Sequence, residues 1–211
     1  MSTPLIQPVN ESDAVDKVAQ TFERIREVLE LSEVPEIFRY FANVPALLHD
    51  YFMNFRKFVL SEGKLDLKTK LLVASAACGH MGCQAWLSFL KPYAERAGVN
   101  STEVIEAMAV GSTNSMYNVL FKFRDISGSD VFDGMSVGLR AHTFSGTSLT
   151  HQTVELINLS LSNLNGCKPC TSSHVAKARQ LEISDEAIYE AVQCAATIVC
   201  GSQFLRSVGV N

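Results

Sequence analysis

Basic charge is the first thing this sequence has little of. Its 18 Lys and Arg stand against 22 Asp and Glu, for a formal net charge of −4, and only 19% of its residues are charged. Nothing here builds the clustered cationic face that neutralises nucleic-acid phosphates, so nucleic acid is excluded as an expected partner. No window approaches the roughly 18 consecutive apolar residues of a membrane span, which excludes a membrane partner of that kind. No run alternates apolar and polar residues up to an Asn-Gly or Asp-Gly turn, which excludes a sheet of hairpins. The start, MSTPLIQPVNESDA, lacks a basic region followed by an apolar run and so does not read as a secretory signal. Without one, six cysteines in a chain of 211 residues do not make a small secreted disulfide scaffold. The expected compartment is the reducing cytoplasm, where a CxxC is read as chemistry before it is read as a structural staple.

What is present is helical periodicity in a chain that is 47% hydrophobic, enough for one compact domain with a sizeable core. Residues Asp13 to Leu31 carry Val15, Val18, Phe22, Ile25, Val28 and Leu29 at spacings of three and four, an amphipathic helix capped by Ser12 or Asp13. Prolines open the next two, Pro35 to Asn43 and Pro45 to Glu62. Further helices are predicted at Leu67 to Gly79, Cys83 to Ala97 and Ser101 to Phe123, with a short one near Met135 to His142. Leu149 to Asn165, Lys168 to Leu181 and Ser184 to Val208 complete the set. The predicted fold class is all-α.

Two segments repeat at a constant offset of 84 residues. Thr69 pairs with Thr153, Gly82-Cys83 with Gly166-Cys167, Val99-Asn100 with Ile183-Ser184, Val104 with Ile188, Glu106-Ala107 with Glu190-Ala191, and Thr113 with Thr197. An ungapped register of this length points to duplication of one helical unit. The expected organisation is an added helical arm at 1–62, a first unit at 63–126, a Gly- and Ser-rich connection at 127–148, and a second unit at 149–211.

The duplication isolates a constellation. Where the second unit has Glu155, Cys167, Cys170 and His174, the first has Leu71, Cys83, Trp86 and Leu90. Ordinary core residues therefore satisfy the fold at three of these positions, and the second unit keeps polar groups the scaffold does not require. At about 100° per residue, positions 167, 170 and 174 fall on one helical face, and Glu155, twelve residues before Cys167, returns over them if Gly166 makes the turn between two packed helices. A thiolate, not a thiol, attacks an electrophilic oxygen or a disulfide. A helix start favours that negative charge, a histidine takes the proton, and a carboxylate orients the histidine. A sulfenic acid on one sulfur then condenses with the other to a disulfide and water.

Glu155, eleven residues, then Cys167-Lys168-Pro169-Cys170-Thr171-Ser172-Ser173-His174 resembles the active-site signature of the AhpD-like alkylhydroperoxidases in the carboxymuconolactone decarboxylase superfamily. The stretch Val34 to Phe55 is similar to the helices that precede the core in peroxidase-related members. The resemblance implies that Cys170 is the peroxidatic cysteine, Cys167 the resolving one, and His174 with Glu155 the proton relay of an antioxidant peroxidase. It implies an all-helical fold, no cofactor or metal, an organic hydroperoxide substrate, and a dithiol reductant such as a lipoyl-bearing or thioredoxin-like protein. It also implies a homo-oligomer, with a trimer favoured. The family often places a second histidine between the cysteines, where this sequence has Pro169. The superfamily's decarboxylases lack the dithiol, which argues against lactone decarboxylation.

Other readings of the same residues are a thiol-disulfide oxidoreductase without peroxidase activity, a zinc site completed by Glu155 or His151, and a purely structural oligomer with two buried thiols. His151 reads as a solvated residue near a helix start. Cys194 and Cys200, six apart on an apolar helix, read as core; Cys83 reads as an inert relic of the motif, and Cys78, His49, His80 and His142 have no clustered partners. Lys168 is either an aid to the thiolate or merely solvated. Phe38, Phe41, Leu48, Phe52, Phe55 and Val59 read as core or a subunit interface, with an apolar entry for substrate as the functional alternative.

Overall fold

The computed structural model describes residues 4–211; residues 1–3, where the expected arm begins, lie outside it. Among the described residues every regular element is helical. In α1 (Asp16–Leu29) the apolar spacing buries Phe22, Ile25 and Leu29, as the periodicity predicts. Its start differs from the expected one. Glu11–Asp13 form a short 3-10 turn and Val15 is the N-cap without a side-chain bond, so neither Ser12 nor Asp13 caps the helix. Glu11 is used elsewhere, its carboxylate pairing with Arg26 and accepting from the Val34 backbone at 2.7 Å. Helix α2 (Glu36–Phe41) follows Pro35, and α3 (Pro45–Phe55) has Pro45 in its first turn before passing into a π-helical turn at Arg56–Leu60.

The duplication is visible residue by residue. Helices α4 (Leu67–Met81), α5 (Gln84–Arg96) and α6 (Ser101–Ile126) recur as α7 (His151–Leu164), α8 (Lys168–Gln180) and α9 (Asp185–Ser207), so that α5 shifted by 84 residues is α8 at both ends. The punctuation recurs with them. Asp66 and Thr150 accept from the backbone three residues on, at 2.7 and 3.1 Å. Gly82 and Gly166 make the same left-handed turn, at φ 61° and 63°, a conformation costly for a residue with a Cβ. Asn100 and Ser184 cap the third helix of each unit.

The third helix of each unit packs on the first helix of both. A carboxylate on each fixes the loop entering the other unit. Glu190 on α9 accepts from the Leu65 backbone at 2.7 Å and from the fully buried Lys70 at 3.0 Å, while Lys70 also donates to the Ser61 carbonyl at 2.6 Å. Glu106 on α6, its equivalent, accepts from the Ser148 backbone at 3.0 Å. The two units are thus tied by exchanged contacts and cannot be separated without orphaning charge.

Phe38, Phe41, Leu48, Phe52, Phe55 and Val59 are fully buried. Phe38 meets Phe52 and Trp86 edge-on with ring centroids 5.6 and 5.7 Å apart. They are core, which corrects the alternative that they line a substrate entry. The connection holds no helix near Met135 to His142, only 3-10 turns at Asp130–Phe132 and His142–Phe144. The cause is hydrogen bonding: Arg124 donates to the Met135 carbonyl at 2.5 Å and Tyr117 to the Leu139 carbonyl at 2.8 Å, so α6 takes the acceptors a helix would use internally. Gly138, at φ 63°, completes the break.

Candidate functional site

The site sits on the α7–α8 hairpin. After the Gly166 turn the Cys167 backbone donates to the Ser162 carbonyl at 3.0 Å, which makes Cys167 the extended N-cap of α8 and leaves it fully buried. Cys170 lies in the first turn of α8 and is joined to Cys167 by a disulfide with Cα atoms 5.3 Å apart. His174 follows one turn later, and its Nδ1 is hydrogen-bonded to the Glu155 carboxylate from α7, both groups being buried. All four predicted residues therefore come together. One detail is corrected: Cys167 is not helical, so the one-face arithmetic holds for Cys170 and His174 while Cys167 sits beneath them. With Nδ1 engaged, Nε2 is the ring nitrogen left for proton exchange.

Cys170 and His174 face a cleft of about 390 Å³ between the units. Tyr117 and Phe121 of α6 and Phe144 of the connection form its apolar wall, and Lys177, one turn beyond His174, stands at its mouth. The cleft is a property of the duplication: α6 belongs to the first unit and α8 to the second. A larger cleft of about 580 Å³ lies between α1, the π-helical turn and α5, lined by Arg56, Tyr93 and Arg96 among others, but it contains no thiol or histidine.

A buried polar network that the sequence reasoning missed underlies the cleft. Asn114 and Asn118, one turn apart on α6 and each 1% exposed, line it. Asn114 donates to Asn118 Oδ1 at 3.2 Å, to the Asn158 carbonyl at 3.1 Å and to Ser162 Oγ at 3.2 Å. Asn118 donates to Ser162 Oγ at 3.0 Å and accepts from Asn165 Nδ2 at 2.8 Å. The residues before Gly166 are thereby fixed from α6, and with them the turn that carries Cys167. The signal was in the sequence. Asparagine is a poor residue for a helix interior, and the offset of 84 pairs Asn114, Asn158, Ser162 and Asn165 with Ile198, Ala74, Cys78 and Met81.

The remaining candidates disperse. His151 is exposed at the start of α7, as expected. His80 contacts Ser115 Oγ at 3.3 Å, and burial lowers its pKa. Cys78, Cys83 and Cys194 are buried, and burial pushes the Cys194 thiol up to about 12. Cys200 is exposed, against the expectation of core packing, because its face of α9 opens on a groove beside α3. Among the described residues no group of three or more His, Cys, Asp and Glu side chains is arranged to hold a metal ion, so the zinc reading gains no geometric support.

The chain is thus internally duplicated, all helical over its described residues, and carries a CxxC–His–Glu cluster in its second unit. Residues 46–118 and 132–210 each match the carboxymuconolactone decarboxylase family, and the chain belongs to that family. Within it the chain is AhpD-like. It is 28% identical over 155 residues to an alkyl hydroperoxide reductase AhpD of Anaeromyxobacter sp. (strain Fw109-5), covering 74% of this chain and 83% of the relative. The AhpD of Corynebacterium kroppenstedtii is 29% identical over 153 residues, 66% of this chain and 87% of its own. That of Koribacter versatilis is 29% identical over 157 residues, 74% and 79% respectively.

Proposed function

We propose that this chain is a thiol-dependent alkyl hydroperoxide reductase. The observation that carries the proposal is the joint placement of Cys170 and His174 on one cleft, with Glu155 bonded to the far side of the imidazole. The Cys170 thiolate, favoured in the first turn of α8 by the helix dipole, attacks the terminal oxygen of the hydroperoxide. The O–O bond breaks, His174 supplies the proton to the departing alkoxide, and alcohol leaves with Cys170 as a sulfenic acid. The Cys167 sulfur, directly beneath, displaces hydroxide from that sulfenic acid, and its own proton leaves with the hydroxide as water. The products are the disulfide and water, and the substrate is reduced by two electrons taken from the dithiol. An external dithiol, lipoyl-bearing or thioredoxin-like, then reduces the disulfide.

Pro169 stands between the cysteines and supplies no side-chain proton carrier, so His174 alone serves the relay. On this reading residues 1–62 are a structural arm, 63–126 a unit without catalysis, 127–148 a connection that walls the cleft, and 149–211 the active unit of a homo-oligomer, with a trimer favoured. The test is peptide mass spectrometry on reduced protein before and after one equivalent of an alkyl hydroperoxide, with peroxide followed in parallel. A Cys167–Cys170 disulfide formed in step with peroxide loss, and abolished by Cys170→Ser, is expected. Peroxide that survives while both thiols stay reduced refutes the reading.

A further inference from the structure

We infer that the cleft selects hydroperoxides carrying a carboxylate at the end of an apolar chain, such as the hydroperoxides of fatty acids. The inference rests on the peroxidase reading for its chemistry and on separate observations for its specificity. Cys170, His174 and Lys177 fall at i, i+4 and i+7 on α8, one face of the helix, and all three line the cleft. Seven residues of helix separate the reactive sulfur from the Lys177 position by about 10 Å. Between those ends the opposite wall is aromatic, from Tyr117, Phe121 and Phe144.

The electrostatics of the cleft run against those of the chain. The protein carries a formal charge of −4, yet α8 holds Lys168, Lys177 and Arg179 and no acidic residue. Arg179 is committed to Asp185 at 2.7 Å, whereas Lys177 forms no ion pair among the described residues. No side chain lining the cleft is acidic; Glu155 lies behind His174 and is occupied by it. A free ammonium, then an aromatic slot, then a sulfur nucleophile complements, group for group, an anionic amphiphile with a peroxide partway along its chain. The first unit has Tyr93 where the second has Lys177, so the fold does not require a cation there.

The test compares linoleic acid hydroperoxide with its methyl ester, both below micelle formation, on reduced protein recycled by a small dithiol. The acid should be consumed with a kcat/KM two- to fivefold above that of the ester, which is about what one solvated ion pair supplies. The ratio should fall toward one in Lys177→Met, which keeps most of the aliphatic stem, and in high salt. The ratio is the readout because a general effect of the substitution on turnover cancels from it. An unchanged ratio in Lys177→Met overturns the inference. So does a proportional loss on both substrates, which assigns the lysine to the sulfur or to reductant docking. Binding of decanoate and decanol by calorimetry tests the same site without turnover: decanoate should bind more tightly, and Lys177→Met should remove the difference. Decanoate binding that depends on Lys177, in a protein that consumes no hydroperoxide, leaves the anion site standing and refutes the peroxidase; turnover without acid preference does the converse.

Discussion

Asn118 and Ser202 occupy the same position in the two units, and substitutions there should change stability in opposite directions. Asn118 makes four contacts in a buried network, of which the donation to Ser162 at 3.0 Å and the acceptance from Asn165 at 2.8 Å are the shortest. In Asn118→Leu all four are lost, the two exchanged with Asn114 being the longer, at 3.2 and 3.4 Å. Ser162 and Asn114 retain each other at 3.2 Å, and Asn165 retains Ser115 at 3.3 Å. No group is left wholly orphaned, so the loss is set by the bonds themselves, at about 1 kcal/mol for each of the two short ones and less for the longer pair, at least about 2 kcal/mol in all. Leucine has the same branched outline but is bulkier, so no cavity opens and any crowding adds to the loss. Ser202 Oγ is buried with no hydrogen-bond partner among the described residues. Ser202→Ala removes a polar group that folding strands, and should be neutral or stabilising by up to about 1 kcal/mol. Urea unfolding of the disulfide form measures both; with m near 2 kcal/mol/M, the Asn118 variant should unfold about 1 M earlier. An Asn118→Leu protein within about 0.5 kcal/mol of the parent would refute the network argument, as would a Ser202→Ala protein destabilised by more than about 1 kcal/mol.

Glu155→Gln keeps the shape of the relay but removes the charge that stabilises an imidazolium, so stopped-flow peroxide reduction should slow by on the order of 10² while the disulfide still forms under chemical oxidation. Gly201→Ala places a Cβ 2.3 Å from the Tyr51 hydroxyl and 2.7 Å from Trp86 Nε1; overpacking of about 1–3 kcal/mol is expected in thermal melts. Glu103 is hydrogen-bonded by Lys68, which holds its carboxyl below the usual range despite partial burial. Its stabilisation is present above the unfolded value of about 4.3 and is lost as pH falls through the lower folded value, so Glu103→Gln should flatten the acid side of the stability profile. In reduced protein at neutral pH, iodoacetamide should leave Cys78 and Cys194 unlabelled in the native state, since burial pushes both thiols up; rapid labelling of either would mean the core opens there.

The legible part of the fold was the apolar spacing of α1 and whatever repeated. Helix termini at Gly82, Gly166, Asn100 and Ser184 are set by local backbone chemistry, and the offset of 84 residues carried each into the second unit. The grouping of Glu155, Cys167, Cys170 and His174 was legible because the first unit showed which positions the fold fills with apolar residues. Three things were not legible, for one reason: each depends on contacts distant in sequence. The cleft wall comes from α6 and the connection, and no local pattern assigns Tyr117 or Phe144 to the other unit's cysteine. The helix expected near Met135 fails because Arg124 and Tyr117 capture its carbonyls. Cys200 has an apolar neighbourhood along its own helix, yet faces outward because the groove beside α3 leaves that turn uncovered.

The arm explains why the two units differ in more than the four residues of the candidate site. Trp86 occupies the position of Cys170, and Gly201 that of Tyr117. Around Trp86 the arm packs Tyr51, Phe55 and Phe38, with ring centroids 5.3, 5.1 and 5.7 Å away, and Tyr51 closes against Gly201, whose equivalent Tyr117 walls the cleft over α8. The space that is a cleft over α8 is therefore filled core over α5, and a tyrosine at position 201 would collide with the arm. A polar stripe on the first unit would be stranded beneath this aromatic layer at about 1–3 kcal/mol per orphaned group, so covering the cleft and losing its polar residues are one change. The second unit keeps its stripe because the connection spans it without sealing it. Tyr117 holds the connection by a single backbone carbonyl, and the cleft beneath stays open. Which unit keeps an open polar cleft thus follows from which flanking segment each unit received.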